Sequence, residues 1–206
     1  MVETTLCLLD ANSLFYRAFF AIKANLATSS GQPTNAVFGF VKMVQRIIED
    51  VRPAHIAVCF DVGKKTHRTE KFAAYKEHRA PMPDDLVAQV PFIKEVVRAY
   101  RFPVFEKEGF EADDVIATLV TRFRDDFKKI VIVSSDKDIL QLVGGGVTVY
   151  NPYKEDGIIY TPQVVVERMG VEPERIRDLI ALMGDASDNI PGAHGIGEKT
   201  ARQLLA

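Results

Sequence analysis

The chain has little from which a disulfide scaffold, a zinc site or a membrane anchor could be built. Its two cysteines, Cys7 and Cys59, each sit inside an apolar run that reads as a strand. That is the setting of small buried hydrophobes rather than of ligands or a disulfide, and it suits a reducing compartment. The four histidines, His55, His67, His78 and His194, share no ligand spacing with one another or with cysteine, which argues against zinc. No run approaches the roughly 18 apolar residues of a membrane span. The opening MVETTLCLLD has no basic region leading into a signal core, so a cytoplasmic protein is expected. Internal repeats and low-complexity segments are also missing. What remains is 206 residues, 47% hydrophobic, with a net charge of −2, enough for one large domain or one domain plus an appendage.

One stretch organises the rest: GFEADDVIATLVTRFRDDFKKIVIVSSDKD, from Gly109 to Asp138. Val115, Ile116, Leu119, Val120 and Phe123 recur at three- and four-residue spacing and predict a helix, with Glu111, Asp113 and Asp114 at its start. Ile130 to Val133 predicts a strand, followed by Asp136 and Asp138, which in extended chain would point the same way from its carboxyl end. Open α/β sheets place ligands at that end. A helix N-terminus favours a carboxylate, but a cluster this dense repels itself unless cations neutralise it, and hard divalent ions take oxygen ligands. Acids in a first helical turn are also common caps, and Asp after a strand is common turn chemistry. Recurrence separates the two readings. Thr5 to Leu9 is an apolar run ending at Asp10, and HIAVCF ends at Asp61. Unbroken apolar runs of this kind suit strands buried on both faces of a parallel sheet. In GDASDN, Asp185 and Asp188 lie three apart, so one helical turn or a tight loop would face both the same way.

Other elements follow from local signals. SLFYRAFFAI reads as a helix. Val37 to Val51 shows one helical face, capped by Thr34 and stopped by Pro53. Asp84 to Arg101 reads as a helix bent at Pro91, Phe102 to Phe105 as a short strand, and Val147 to Tyr150 as another. Thr161-Pro162 opens a helix that Gly170 closes, and Glu174 to Met183 is the next.

Nine acids assigned to one site leave 19 against 26 Lys and Arg, so the remaining surface is basic by seven charges. That division suits a polyanion docking over an acidic pocket. The most basic stretch runs from Val62 to Pro83 and carries Lys64, Lys65, Arg68, Lys71, Lys76 and Arg79, with Phe72 and Tyr75 interleaved. It is either a solvated helix or a phosphate grip that overhangs the pocket, where Tyr75 could stack on a base. Gly195-Ile196-Gly197 precedes a helix carrying Lys199, Thr200 and Arg202. Exposed backbone N–H groups at such a start form a phosphate-binding device, and a plain connecting turn is the alternative. Arg17 either meets phosphate or packs.

LLDANSLFYRAF, PTNAVFGF, FAAYKEHRAPMPDDL, GFEADDVIAT, VIVSSDKDILQLV, ALMGDASDNIPG and GIGEKTA, in this order, resemble the 5′-nuclease domain of bacterial DNA polymerase I, within the flap endonuclease family. The departures are small: His67 stands where relatives usually have Phe, and Ala193-His194 replaces Val-Pro. The resemblance implies an α/β, PIN-like fold: a mostly parallel sheet flanked by helices, with a helical arch at 62–83 and a helix-hairpin-helix-like element. The nuclease domain would span residues 1–183 and the hairpin element would begin at 184–206. It further implies two Mg²⁺ or Mn²⁺ ions, one around Asp10, Asp61, Glu111 and Asp113, the other around Asp136, Asp138, Asp185 and Asp188. Asp114 would stand behind these ligands. A monovalent cation at the hairpin belongs to the same expectation.

Two such ions, roughly 4 Å apart, would activate water, clamp the phosphodiester and stabilise the leaving oxygen. Lys76 and Arg79 would neutralise charge on the phosphate, and Tyr75 would hold an unpaired base. Arg17, Lys64, Lys65, Arg68, Gly195, Gly197, Lys199 and Thr200 would bind DNA. Expected partners are 5′-flap, nicked or branched duplex, and a covalently linked polymerase region. The protein would act as a monomer, with no membrane, near the bacterial nucleoid in primer removal and repair. A non-cleaving DNA-binding module on the same fold is the alternative from another class, and intact acids argue against it. A smaller acidic-site ribonuclease or phosphatase would have no role for the arch or the hairpin.

Overall fold

The computed structural model describes residues 4–23, 26–63, 65–153 and 157–205. In chain order its elements are β1 (Thr5–Asp10), α1 (Ala11–Ala21), α2 (Asn35–Val51), β2 (His55–Cys59), α3 (His67–Lys71), α4 (Asp84–Val87), α5 (Val90–Ala99), β3 (Val104–Phe105) and α6 (Ala112–Phe123). There follow β4 (Lys129–Val133), a 3₁₀ turn (Asp138–Leu142), β5 (Val147–Asn151), β6 (Ile158–Tyr160), α7 (Pro162–Met169), a 3₁₀ turn (Pro173–Arg175), α8 (Ile176–Met183) and α9 (Glu198–Leu205). The strands form one sheet in the order β3-β2-β1-β4-β5-β6. All neighbours run parallel except β5 and β6.

β1 is buried along its whole length, because it lies mid-sheet with helices on both faces. Its side chains alternate between two cores, as a strand's period of two requires. Leu6 and Leu8 pack with Ile116 of α6, Val165 of α7 and Leu179 of α8. Cys7 and Leu9 pack with Phe15 of α1, Phe40 of α2 and Ile93 of α5. Each such Leu contributes on the order of 1.5–3 kcal/mol. α1 and α2 approach closely because Gly39 has no side chain: a Cβ there would lie 2.7 Å from that of Ala18.

The chain passes from β1 outward to β2 and β3, then returns to place β4 on β1's other side. The crossover directions therefore diverge between β1 and β4, opening a crevice at their carboxyl ends, where open α/β sheets bind ligands. Asp10 closes β1, Asp61 lies two residues past β2, and Ser134 to Asp136 follow β4.

Several elements differ from the expectation in instructive ways. Pro91 does not bend one helix: α4 and α5 are separate, and Pro91 lies in α5's first turn, where its missing N–H costs nothing. Thr34 precedes α2 but makes no side-chain cap. The fully buried Gln89 supplies it instead, its Oε1 accepting from Ala36 N at 2.8 Å and Val37 N at 3.2 Å. The third strand is confined to two residues, the eighth helix begins at Ile176 after a 3₁₀ turn, and β6 adds an antiparallel edge. Among the described residues of the basic stretch expected to form an arch, only His67–Lys71 are α-helical. Phe72 is extended, Lys76 is left-handed, and Pro81 and Pro83 follow. No helix among the described residues is long and apolar enough to cross a membrane.

Candidate active site

Asp10, only 6% exposed, caps α1: its Oδ1 accepts from Ser13 N at 3.0 Å and its Oδ2 from Ser134 Oγ at 2.8 Å. Ser13 also accepts from Ser135 N at 3.0 Å, so the start of α1 is stitched to the loop after β4. On the other side, Asn12 Oδ1 accepts from Asp61 N at 3.2 Å, and Asp61 Oδ1 accepts from Ala112 N at 2.6 Å, capping α6. One serine and one asparagine thus join three carboxyl-end segments of the sheet. Asp113 enters the same crevice from α6's first turn.

Burial is the largest force on these groups. It lifts Asp10 to about 6 against hydrogen bonds from Ser13 and Ser134, with Asp61 and Asp136 adding repulsion. Burial also raises Asp61, and raises Asp113 well above the usual carboxylate range, helped by the charges of Asp10, Asp136 and Asp61. Asp138 is pushed up to about 6 by burial and then by Asp136, Asp185 and Asp188. Asp136 contributes to both groups and so sits electrically between them.

Asp136 and Asp138 are not an extended pair. Lys137 between them is helical (φ −76°, ψ −25°), and Asp138 N donates to Asp136 Oδ1 at 3.0 Å. Asp138 Oδ1 is buried with no hydrogen-bond partner, an oxygen that a cation would satisfy. Asp185 and Asp188 adopt the tight-loop alternative. Asp185 N donates to Ile190 O and Ile190 N to Asp185 O, both at 2.8 Å. Gly184 and Gly192 make this closure possible: a Cβ on Gly184 would lie 2.5 Å from Gly192 N.

Cations of the chain hold the turn's acids. Lys137 Nζ lies 3.1 Å from Asp185, whose carboxyl is held below the usual range because bonds from Ser187 and Lys137 outweigh its burial. Asp188 receives Arg79 Nη2 at 3.0 Å and Tyr75 Oη at 2.9 Å. Lys76 Nζ is 2.7 Å from Glu111 and 3.7 Å from Asp188. Tyr75 is buried rather than presented to a base; burial and the charges of Glu111 and Asp188 push its hydroxyl pKa up, so it stays a neutral donor. Oxygens of Glu111, Asp185 and Asp188 already serve these donors, and among the described residues no three acids, His or Cys form a ready metal cage.

The outlying residues are placed as follows. Arg68 grips Asp114 through two bonds of 2.6 and 2.8 Å, and Asp114 Oδ2 also accepts from Glu111 N at 3.0 Å. Arg68 pulls Asp114 below the usual range despite burial, and its fork faces that carboxylate. Arg17 is exposed on α1 with its guanidinium 5.7 Å from the Tyr153 ring centroid. Lys65, Gly195, Gly197, Lys199 and Thr200 are exposed, Gly195 with a left-handed φ of 76°. Lys64 lies outside the described residues. Ser13, Ser134, Gly184 and Gly192 were not singled out from sequence. Ser13 lies three residues after Asp10, Ser134 two before Asp136, and the glycines bracket GDASDNIPG; these are the local signals they carry.

The family model for the 5′-3′ exonuclease N-terminal resolvase-like domain matches residues 5–170, and that for the 5′-3′ exonuclease C-terminal SAM fold matches residues 171–206. The chain belongs to the 5′-3′ exonuclease family. A 5′-3′ exonuclease of Aquifex aeolicus is 45% identical over 201 residues, 98% of this chain and 68% of that one. DNA polymerase I of Mycobacterium tuberculosis is 44% identical over 99% of this chain, but the chain spans only 23% of the polymerase's length. Among solved structures, the bacteriophage T5 flap endonuclease, in a pseudo-enzyme–product complex with DNA and metal ions, is 25% identical with a TM-score of 0.79 over 98% of this chain and 74% of its own. The Methanococcus jannaschii flap endonuclease shares the fold at 18% identity and a TM-score of 0.62, over 98% of this chain and 70% of its own. The expected resemblance and the mostly parallel α/β fold are both borne out.

Proposed function

We propose that the chain is a divalent-metal-dependent 5′ nuclease that hydrolyses phosphodiester bonds in DNA with 5′ ends or 5′ flaps. The observation that carries this reading is the gathering at the sheet's carboxyl end of Asp10, Asp61 and Asp113, linked through Asp136 to Asp138, all four with raised proton affinity, while Lys76 and Arg79 bond the neighbouring Glu111 and Asp188. Family membership supports it.

The donor set fits hard cations: carboxylate oxygens only, crowded enough to repel one another, with one buried oxygen unpartnered. We assign one Mg²⁺ or Mn²⁺ to Asp10, Asp61, Glu111 and Asp113, and a second to Asp136, Asp138, Asp185 and Asp188. When bound, such a pair supplies activation of water and neutralisation of the scissile phosphate. The chain's own residues do the rest. Ser13 and Ser134 orient Asp10, and Ala112 N orients Asp61. Lys76 and Arg79, which pair with Glu111 and Asp188, would donate to the phosphate, where charge develops in the transition state. The exposed Lys199 and Thr200 at the start of α9 would hold duplex phosphates.

The test is cleavage of a 5′-flap duplex with Mg²⁺ or Mn²⁺ and with a chelator. Release of a short 5′ product only with metal is expected. Metal-independent DNA binding with no product would instead indicate a non-cleaving module.

A further inference from the structure

The basic loop touches the acidic turn through more than ion pairs. Asn189 Nδ2 donates to Ala74 O at 2.7 Å, and Lys76 N donates to Asp188 O at 3.0 Å. Two neutral hydrogen bonds therefore join residues 74–76 to residues 188–189. Over residues 73–79 the other backbone bonds are local, such as Tyr75 N to Phe72 O and Arg79 N to Lys76 O, each 3.0 Å. Its partner is rigid, since Asp185 and Ile190 bond reciprocally and Gly184 closes on Gly192.

Lys76 and Asn189 both have a left-handed φ of 57°. Asn tolerates that region, whereas Lys is strained there. A strained residue persists where its surroundings over-determine it. At Lys76 the surroundings are the bond to Asp188 O and the neighbouring clasp on Ala74 O.

From these contacts we propose that Asn189 is a positioning residue: its amide clasps the basic loop to the acidic turn and thereby holds Lys76 within reach of the carboxylates and the phosphate between them. Ion pairs alone could not do this. Cations arriving on Glu111 and Asp188, or phosphate arriving on Lys76 and Arg79, would exchange those partners. A neutral amide-to-carbonyl bond competes with neither, so the loop stays seated while its charges change partners. The role in catalysis rests on the nuclease reading above; the clasp itself does not.

Asn189→Gly removes the amide yet keeps a residue at ease in the left-handed region, so backbone strain is not confounded with the lost bond. Asn189→Asp preserves size and replaces the donor by an acceptor. In hydrogen exchange of the metal-free 206-residue chain, both variants should lose about tenfold or more of the protection over residues 73–79, with β1 and β4 unchanged. On a 5′-flap duplex with Mg²⁺, Asn189→Gly should lower the single-turnover rate at saturating enzyme by on the order of tenfold, with affinity changed much less. In a Lys76→Ala background the same substitution should have no further effect on the rate. Unaltered protection over 73–79 in both variants, or rate losses that multiply in the double variant, would overturn the proposal. Failure of the nuclease reading is distinguishable, as absent cleavage by the unsubstituted chain with its exchange protection in place.

Discussion

The acids at the strand ends and those on the 185–190 turn are chemically alike and electrically opposite. Asp10 is buried, Asp113 half-buried and Asp61 exposed at the crevice mouth; among the described residues none of the three has a bonded cation, and desolvation with mutual repulsion raises their proton affinity. Asp185 and Asp188 each carry a cation of the chain, Lys137 on one and Arg79 on the other, and Asp185 is held low. The first set lacks a counter-charge that only an added cation can supply. The second already has one, and must release it to accept another.

The largest expected effect comes from breaking the strand-end set. Asp10→Asn or Asp136→Asn should lower cleavage by on the order of 10³-fold or more while leaving DNA binding largely intact, as read by single-turnover kinetics and a binding titration. Cleavage at the unsubstituted rate would remove both residues from the metal assignment.

Lys76→Ala removes a cation shared with the turn set, and its rate at saturating enzyme should fall by on the order of 10²-fold with little change in affinity. A loss confined to affinity would make Lys76 a ground-state phosphate contact.

The strand-end set should also show itself in stability. Asp10 and Asp138, both raised to about 6, bind protons more tightly folded than unfolded. Stability of the metal-free chain should therefore fall as pH rises from about 4 through 6. Asp10→Asn escapes its share, so the variant that loses activity should gain stability at pH 7.5, by at most about 3 kcal/mol. Thermal unfolding with a chelator present, run across pH, decides this; a flat profile would mean the repulsion is relieved by solvent.

Smallest is the effect at α9, where Lys199 is exposed. Lys199→Ala should reduce the slope of log affinity against log salt by about 0.9 if it contacts one phosphate. An unchanged slope would make the hairpin a connector.

Much of this was legible in the chain. The apolar runs before Asp10 and Asp61 gave strands with acids at their ends, because a buried parallel strand needs no partner's identity to be recognised. α7 was readable at both ends, since Thr161 accepts from Val164 N and Gly170 takes a left-handed φ of 75°, both local events. Gln89 capping α2 was not readable, because donor and acceptor are 53 residues apart. Nor was the split at Pro91, where the same residue suits a bend or a first turn.

By itself, then, the sequence determined the strands β1, β2, β4 and β5, the α6 helix and which residues carry charge, because periodicity and side-chain chemistry act over a few neighbours. Only the tertiary structure decided which charges meet. Asp10 with Ser134, Glu111 with Lys76, and Asn189 with Ala74 lie 124, 35 and 115 residues apart, and nothing local specifies such pairs. They are fixed when β1 and β4 pair in register and the core closes around them, because burial sets the cost of every unpartnered polar group at the sheet's edge.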